Sequence, residues 1–180
     1  MHPQLQELHQ DHVNLAKVLR LLEKQLADLQ SGEHIDLEVL SEIVDYVQTY
    51  PDRVHHKRED IIFSVYLERS STSRDLVERL MEEHTLLFDK TRNLYVHIEQ
   101  WRQDSPVPRG RMVSIIADYL LMQWDHLNLE ESSVLELLHQ ELTPADWARI
   151  EATMPLSNDP LFGDKVLQRF ENILGQLSGY

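Results

Sequence analysis

Apolar positions along the chain recur at alternating spacings of three and four, the period of amphipathic helices. In the first segment Leu5, Leu8, His12, Leu15, Leu19, Leu22, Leu26 and Leu29 form one such seam, and "SGEH" ends it at Gly32. A second segment runs from about Asp36 to Arg69, with Leu40, Ile43, Val47, Ile62 and Tyr66 on its apolar side. Pro51 must break or kink it, because proline has no N–H to donate and clashes with the preceding turn. "SSTSRD" is a linker that supplies an N-cap. The third segment carries Val77, Leu80, His84, Leu87, Thr91, Leu94, Ile98 and Trp101. After "DSPVPRG" a fourth, from about Arg111 to Leu142, shows Ile116, Tyr119, His126, Val134 and Leu137. Four long amphipathic helices with short connections predict an all-α, up-down-up-down four-helix bundle over residues 1–142. Residues 143–180 read as a C-terminal extension of about two short helices, packed on the bundle or on a second copy. Thr143 caps the first of them with Pro144 at its first position. "NDPLFG" is a turn, and Val166, Phe170, Ile173, Leu174 and Leu177 form the face of the last helix.

Charge and composition narrow the function. The chain has 180 residues, enough for one domain with a sizeable core. A formal net charge of −14 argues against binding a phosphate backbone or an anionic membrane surface. With no cysteine, disulfides, thiolate catalysis and cysteine-held metal clusters are excluded. No apolar run approaches the roughly 20 residues of a membrane span. The N-terminus, "MHPQLQELHQDH", is polar from the start, so no signal peptide is expected and a cytoplasmic location is inferred. Ten histidines are the compositional oddity.

Each predicted bundle helix places one histidine in or beside its apolar seam: His12, His55, His84 and His126. Two helices add a glutamate one turn later, giving the pairs His55–Glu59 and His126–Glu130, each on one helix face. At a rise of roughly 1.5 Å per residue, an antiparallel bundle brings all six side chains to one depth, pointing inward. Unpaired buried charge costs several kcal/mol. A metal resolves that cost by taking the lone pairs. Imidazole with carboxylate suits iron, manganese or zinc, and two bridging carboxylates suit a dinuclear site.

Any one of these histidines alone reads as a hydrogen-bonded core residue; the set of six reads as a metal site. His2, His34, His97 and His139 are expected to be solvated or peripheral. His56 points about 100° away from His55 on an α-helix and is expected beside the site or at the surface. His9, one turn before His12, is a candidate fifth nitrogen. Asp60 and Glu131 read as solvated neighbours of the two glutamates.

The words "LHQDH", "HHKREDIIF", "MEEH" and "DHLNLEESSVL" resemble the hemerythrin-like, HHE cation-binding family over about Met1 to Leu142. The tail words "LTPADWARIEA" and "DPLFG" are similar to those of its bacterial members. The resemblance implies a non-haem di-iron centre with oxo or hydroxo and carboxylate bridges. Its ligands would be His12, His55, Glu59, His84, His126 and Glu130, with the two glutamates as bridges. Oxygen-carrying hemerythrins have five histidines, including a His-x-x-x-His pair on the third helix, where this chain has Leu80 and Phe88 beside His84. They place an aspartate five residues after the fourth-helix histidine, where this chain has Glu131. The chain therefore resembles the four-histidine, two-glutamate subgroup, which includes the iron-centre repair proteins.

The function implied is a di-iron protein that binds or reacts with oxygen, nitric oxide or peroxide, in sensing, stress defence or iron supply. The alternative is a metal-stabilised regulatory module, holding zinc or iron without redox chemistry, that uses Phe170, Ile173 and Leu177 as a partner or dimer surface. No acid or base outside the ligand set stands out, so enzyme, sensor and iron store all stay open. A ferritin-type oxidase uses two Glu-x-x-His motifs; here that spacing occurs only from Glu136 to His139.

Overall fold

The computed structural model describes residues 1–70, 72–105, 107–163 and 166–177. Ser71 and Pro106 of the linkers, Asp164, Lys165 and the end of the predicted extension, 178–180, lie outside the described residues. Helix α1 spans Pro3–Ser31 and stops at Gly32, whose φ of 88° lets its N–H turn back to the Asp28 carbonyl. Helix α2 spans Leu37–Thr49, capped by the Asp36 carboxylate, which accepts from the Glu38 and Val39 N–H groups. At Pro51 the α-helix is interrupted, as expected, without ending the arm. A π-helical turn, Pro51–His55, carries it into α3, His56–Arg69, so α2 and α3 form one bundle arm.

Helix α4 spans Arg74–Arg102. Its expected serine cap is absent: Ser73 takes a left-handed φ of 51° and its side chain caps nothing. Helix α5, Arg109–Leu129, starts two residues before the expected Arg111 and passes through a second π-helical turn, Glu130–Val134, into α6, Leu135–Glu141. The result is an all-α bundle with a short helical extension. Among the described residues, no helix is long and apolar enough to cross a membrane.

The extension turns inward. Helix α7, Pro144–Thr153, begins with the expected Thr143 cap, made reciprocal by Asp146. It buries Trp147 and Ile150, and Trp147 stacks on His2 at 3.9 Å. In the predicted turn, Asp159 accepts from the Leu161 and Phe162 N–H groups and from the Tyr46 hydroxyl at 2.9 Å. Gly163 closes the turn, where a Cβ would lie 2.4 Å from the Asp159 carbonyl oxygen. Helix α8, Glu171–Leu177, buries Ile173, and the 3₁₀ turn before it buries Phe170, both in the bundle's own core. Two of the three side chains that would have formed a partner surface are therefore already covered.

The core is divided. One apolar cluster runs from Leu15 to Leu29 on α1 and takes in α2, the far half of α4 and α5. The other gathers Leu5 and Leu8, α3, the start of α4, α6 and α7. Each buried Leu, Ile or Val adds about 1.5–3 kcal/mol to folding. Between the clusters lies a layer of buried polar side chains.

Candidate metal centre

Both π-helical turns sit at this layer. Steps of four residues, Pro51–His55–Glu59–Phe63 and His126–Glu130–Val134–Leu138, overshoot the α-helical period by about 40° each. A wider turn absorbs the excess, which is why such turns gather at functional sites. In the first, the His56 N–H reaches the Pro51 carbonyl, and the Val54 and His55 N–H groups share the Tyr50 carbonyl at 2.9 and 3.1 Å. In the second, the Leu135 N–H reaches the Glu130 carbonyl. The rotated register buries Leu135 and Leu138 and leaves the expected Leu137 only half-buried.

All six predicted side chains meet in the layer, and all are at least 95% buried. The four imidazoles converge through Nε2 on two carboxylates. Glu59 sets Oε1 at 3.3 Å from His12 and 3.1 Å from His55, and Oε2 at 3.4 Å from His84. Glu130 sets Oε2 at 3.3 Å from His12, and Oε1 at 3.6 Å from His84 and 3.4 Å from His126. Each carboxylate thus offers one oxygen to His12 and its side of the layer and the other to the His84 side.

Behind the imidazoles stands a ring of acids that sequence reasoning missed or took for solvated neighbours. Nδ1 of His55 donates to Asp11 at 3.1 Å, that of His84 to Asp60 at 2.7 Å, that of His126 to Glu83 at 3.0 Å, and that of His12 to Glu131 at 2.5 Å. Every acid in the ring is the sequence neighbour of a site residue on its own helix, yet it holds the histidine of the next helix. Asp11 on α1 holds His55, Asp60 on α3 holds His84, Glu83 on α4 holds His126, and Glu131 returns to His12 on α1. The adjacency was the signal: Asp11–His12, Glu59–Asp60, Glu83–His84 and Glu130–Glu131. Such partners fix the tautomer, so that Nε2 faces inward with its lone pair or proton. Arg58, itself buried, supports the ring by reaching Asp11 at 3.5 Å and Gln4 at 3.0 Å.

The electrostatics follow from this packing. Burial pushes the His84 imidazole down, but Asp60, Glu130 and Glu59 more than offset that and raise it to about 12. His12 and His55 are likewise raised, burial being outweighed by their carboxylate partners. Burial pushes Glu59 and Glu130 up, yet the imidazoles hold Glu59 well below the usual carboxylate range, and Glu130 ends at about 2. Glu59 Oε2, Glu130 Oε1, His84 Nε2 and His126 Nε2 are buried without a hydrogen-bond partner. Orphaned buried lone pairs on imidazole and carboxylate are what a cation would satisfy.

Among the described residues, two groups could hold a metal ion: His12, His55 and Glu59, and a second of His56, Glu59, His84 and His126. Glu59 belongs to both. His56, expected beside the site or at the surface, is buried within it. The site opens beside this group onto a cleft of about 550 Å³ that His56 and His84 line. His9, the candidate fifth nitrogen, instead steadies the outer acid Glu131 at 2.8 Å and is half exposed. His34 and His139 are exposed and His97 is half-buried, all three peripheral to the site as expected, and His2 packs against Trp147.

The sequence profile of the hemerythrin HHE cation-binding domain matches residues 4–138. The chain belongs to that family. The matched stretch of this HHE protein contains both metal-capable groups and the whole ring of outer acids, and it ends before α7. No curated protein matches the chain.

Proposed function

We propose that this HHE protein is a non-haem di-iron protein that binds or reacts with a small ligand: oxygen, nitric oxide or peroxide. The two ions would be held by His12, His55, Glu59, His84, His126 and Glu130, with both glutamates as bridges. The observation that carries the reading is the division of each carboxylate, one oxygen toward each of two histidine groups. A single ion would not call for that arrangement twice. The bound metals supply open coordination positions and one-electron redox chemistry. The protein's part is to orient four imidazoles through the outer acids, to neutralise the cations with buried carboxylate charge, and to wall off bulk water with the two apolar clusters. The role would be sensing, stress defence or iron supply in the cytoplasm, and residues 1–142 would act as the metal-binding bundle.

The test is elemental analysis of protein purified without air or added metal, with absorption spectra before and after oxygen, nitric oxide or peroxide. About two irons per chain and a spectral response are expected for a dinuclear carboxylate site. Zinc, or iron with no response to any of the three, overturns the reading and leaves a metal-stabilised module.

A further inference from the structure

Among the described residues, one outer acid meets a phenol. The buried Tyr50 hydroxyl donates to both oxygens of Asp11, at 3.0 and 3.1 Å, and Asp11 accepts from His55 Nδ1 at 3.1 Å. Tyr50 is therefore two hydrogen bonds from a residue of the proposed metal set. Asp60, Glu83 and Glu131 hold their histidines without a tyrosine. A buried tyrosine ordinarily needs only some acceptor for its hydroxyl, and a backbone carbonyl would serve. This one takes the acid that already orients a site histidine. Burial raises the Tyr50 phenol well above its ordinary value, against the hydrogen bond from Ser157, and Asp11 adds to the rise. The phenol is thus held as the neutral O–H donor.

The C-terminal extension completes this arrangement. Ser157 meets the Tyr50 oxygen with its own hydroxyl. Tyr46 repeats the pattern one turn earlier on α2. Its ring stacks on Tyr50 at 6.3 Å and 24°, and its hydroxyl donates to Asp159 at 2.9 Å. Ser157 and Asp159 both lie beyond the stretch that the family profile matches. The bundle supplies two stacked phenols and one acid, and the extension supplies the second acid and the serine. A cleft of about 350 Å³, lined by Asp11, Tyr50 and Ser157, brings solvent to the phenol. It is separate from the cleft that His56 and His84 line.

We propose that Tyr50 is a redox-active tyrosine, which gives one electron to the metal centre along Asp11 and His55 and its proton to Asp11. The proposal rests on the two-metal reading above, with hydrogen peroxide as the oxidant. Peroxide takes two electrons and two protons to become two waters. Where one ferrous ion remains beside a ferric one, that ion supplies one electron and the Tyr50 phenol supplies the other. The peroxide O–O bond breaks, and two O–H bonds form with protons from solvent. The phenol O–H bond breaks, and Asp11 keeps that proton. The products are two waters, a ferric pair and a neutral phenoxyl radical. Moving the proton with the electron avoids a buried phenol cation, a charge that burial would penalise. Tyr46, stacked on Tyr50 and paired with its own acid, extends the path away from the layer.

The test uses the full chain loaded anaerobically with ferrous iron, oxidised by one electron, mixed with hydrogen peroxide and frozen, as wild type, Tyr50→Phe and Ser157→Ala. Electron paramagnetic resonance of the wild type should show an organic radical whose signal narrows when the tyrosines carry ring deuterium. Tyr50→Phe should still bind two irons and lose that radical. Ser157→Ala, at an exposed position, removes a hydrogen bond to the Tyr50 oxygen, so the high-field spectrum should move to a larger g value. A wild type that binds two irons and reduces peroxide without a radical overturns the role of Tyr50 and leaves the two-metal reading intact. So does a radical on tryptophan, or a tyrosyl signal unchanged in either variant. A wild type that binds no iron overturns both. Should Tyr50→Phe not fold, the Ser157→Ala spectrum decides: a shift supports the proposal and no shift overturns it.

Discussion

On α1, Leu8 and Leu15 flank His12, and all three are buried. The two leucines belong to different apolar clusters, and the histidine belongs to neither. Leu8 needs only a neighbour of suitable shape, which any adjacent helix can supply. His12 needs Glu131 at one nitrogen and Glu59 with Glu130 at the other, drawn from two other arms of the bundle. Clusters and layer occupy the same kind of space but differ in what they require of it. The clusters stabilise through area, which tolerates substitution of similar volume. The layer depends on complete pairing, and removing one partner leaves the others exposed to the cost of unpaired burial.

Breaking the layer should have the largest effect. Glu59→Ala or Glu130→Ala should lose one or both metals and destabilise the metal-free fold by about 3–5 kcal/mol, the cost of leaving buried partners unpaired. Elemental analysis and denaturant melts with and without metal check both halves; unchanged metal content in both variants removes these residues from the site. Breaking a cluster should behave differently. Leu19→Ala, at a fully buried position, should cost about 2–5 kcal/mol in denaturant melts while leaving the metal count untouched. If metal is lost as well, the layer and the clusters are not separable.

A subtler perturbation sharpens the contrast. Asp60→Ala frees the His84 ring without touching the centre, so metal affinity should fall about 10- to 100-fold, while metal-free stability falls less than in the glutamate variants because Asp60 is partly exposed. Competition with a chelator reads the affinity, and a melt reads the stability.

Proton and metal compete for the same Nε2 atoms, so pH should act on the layer. His12, His55 and His84 have raised folded pKa values. Their protonated forms therefore stabilise the metal-free protein fully below the ordinary histidine value of 6.5, and that stabilisation is lost as pH rises toward about 12 for His84. Glu130 has the opposite sign: its contribution is present above 4.5 and is lost as pH falls toward about 2. For these groups, metal-free stability is greatest between 4.5 and 6.5. Metal binding at neutral pH must then release protons and tighten as pH rises. Calorimetry in buffers of different ionisation enthalpy measures the release; none would mean that the imidazoles are already neutral. The smallest effect is expected on the exposed surface. Arg149→Ala, which breaks an exposed pair with Glu68 at 2.8 Å, should change neither melting nor metal binding measurably.

Three seams and the fourth as far as Val134, the Gly32 stop, the Thr143 cap and the six inward side chains were legible in the sequence by itself. Each depends on local period or on one turn of backbone, and heptad spacing fixes which face turns inward wherever the neighbour lies. The sequence also determined that histidine and carboxylate would share one depth, because helix rise and an antiparallel path leave little freedom. Only the tertiary structure decided the rest. Ideal α-helical geometry turned His56 outward, and the π-helical turn at Pro51–His55 turned it in. Asp60 and Glu131 looked like solvated acids because their partners, His84 and His12, lie on other helices. Whether Phe170 and Ile173 faced the bundle or a second copy stayed open because Tyr46, which packs on Phe170, is more than a hundred residues away in sequence. Period is a property of one helix, whereas a hydrogen bond between helices depends on rotation and proximity that only the packed bundle sets.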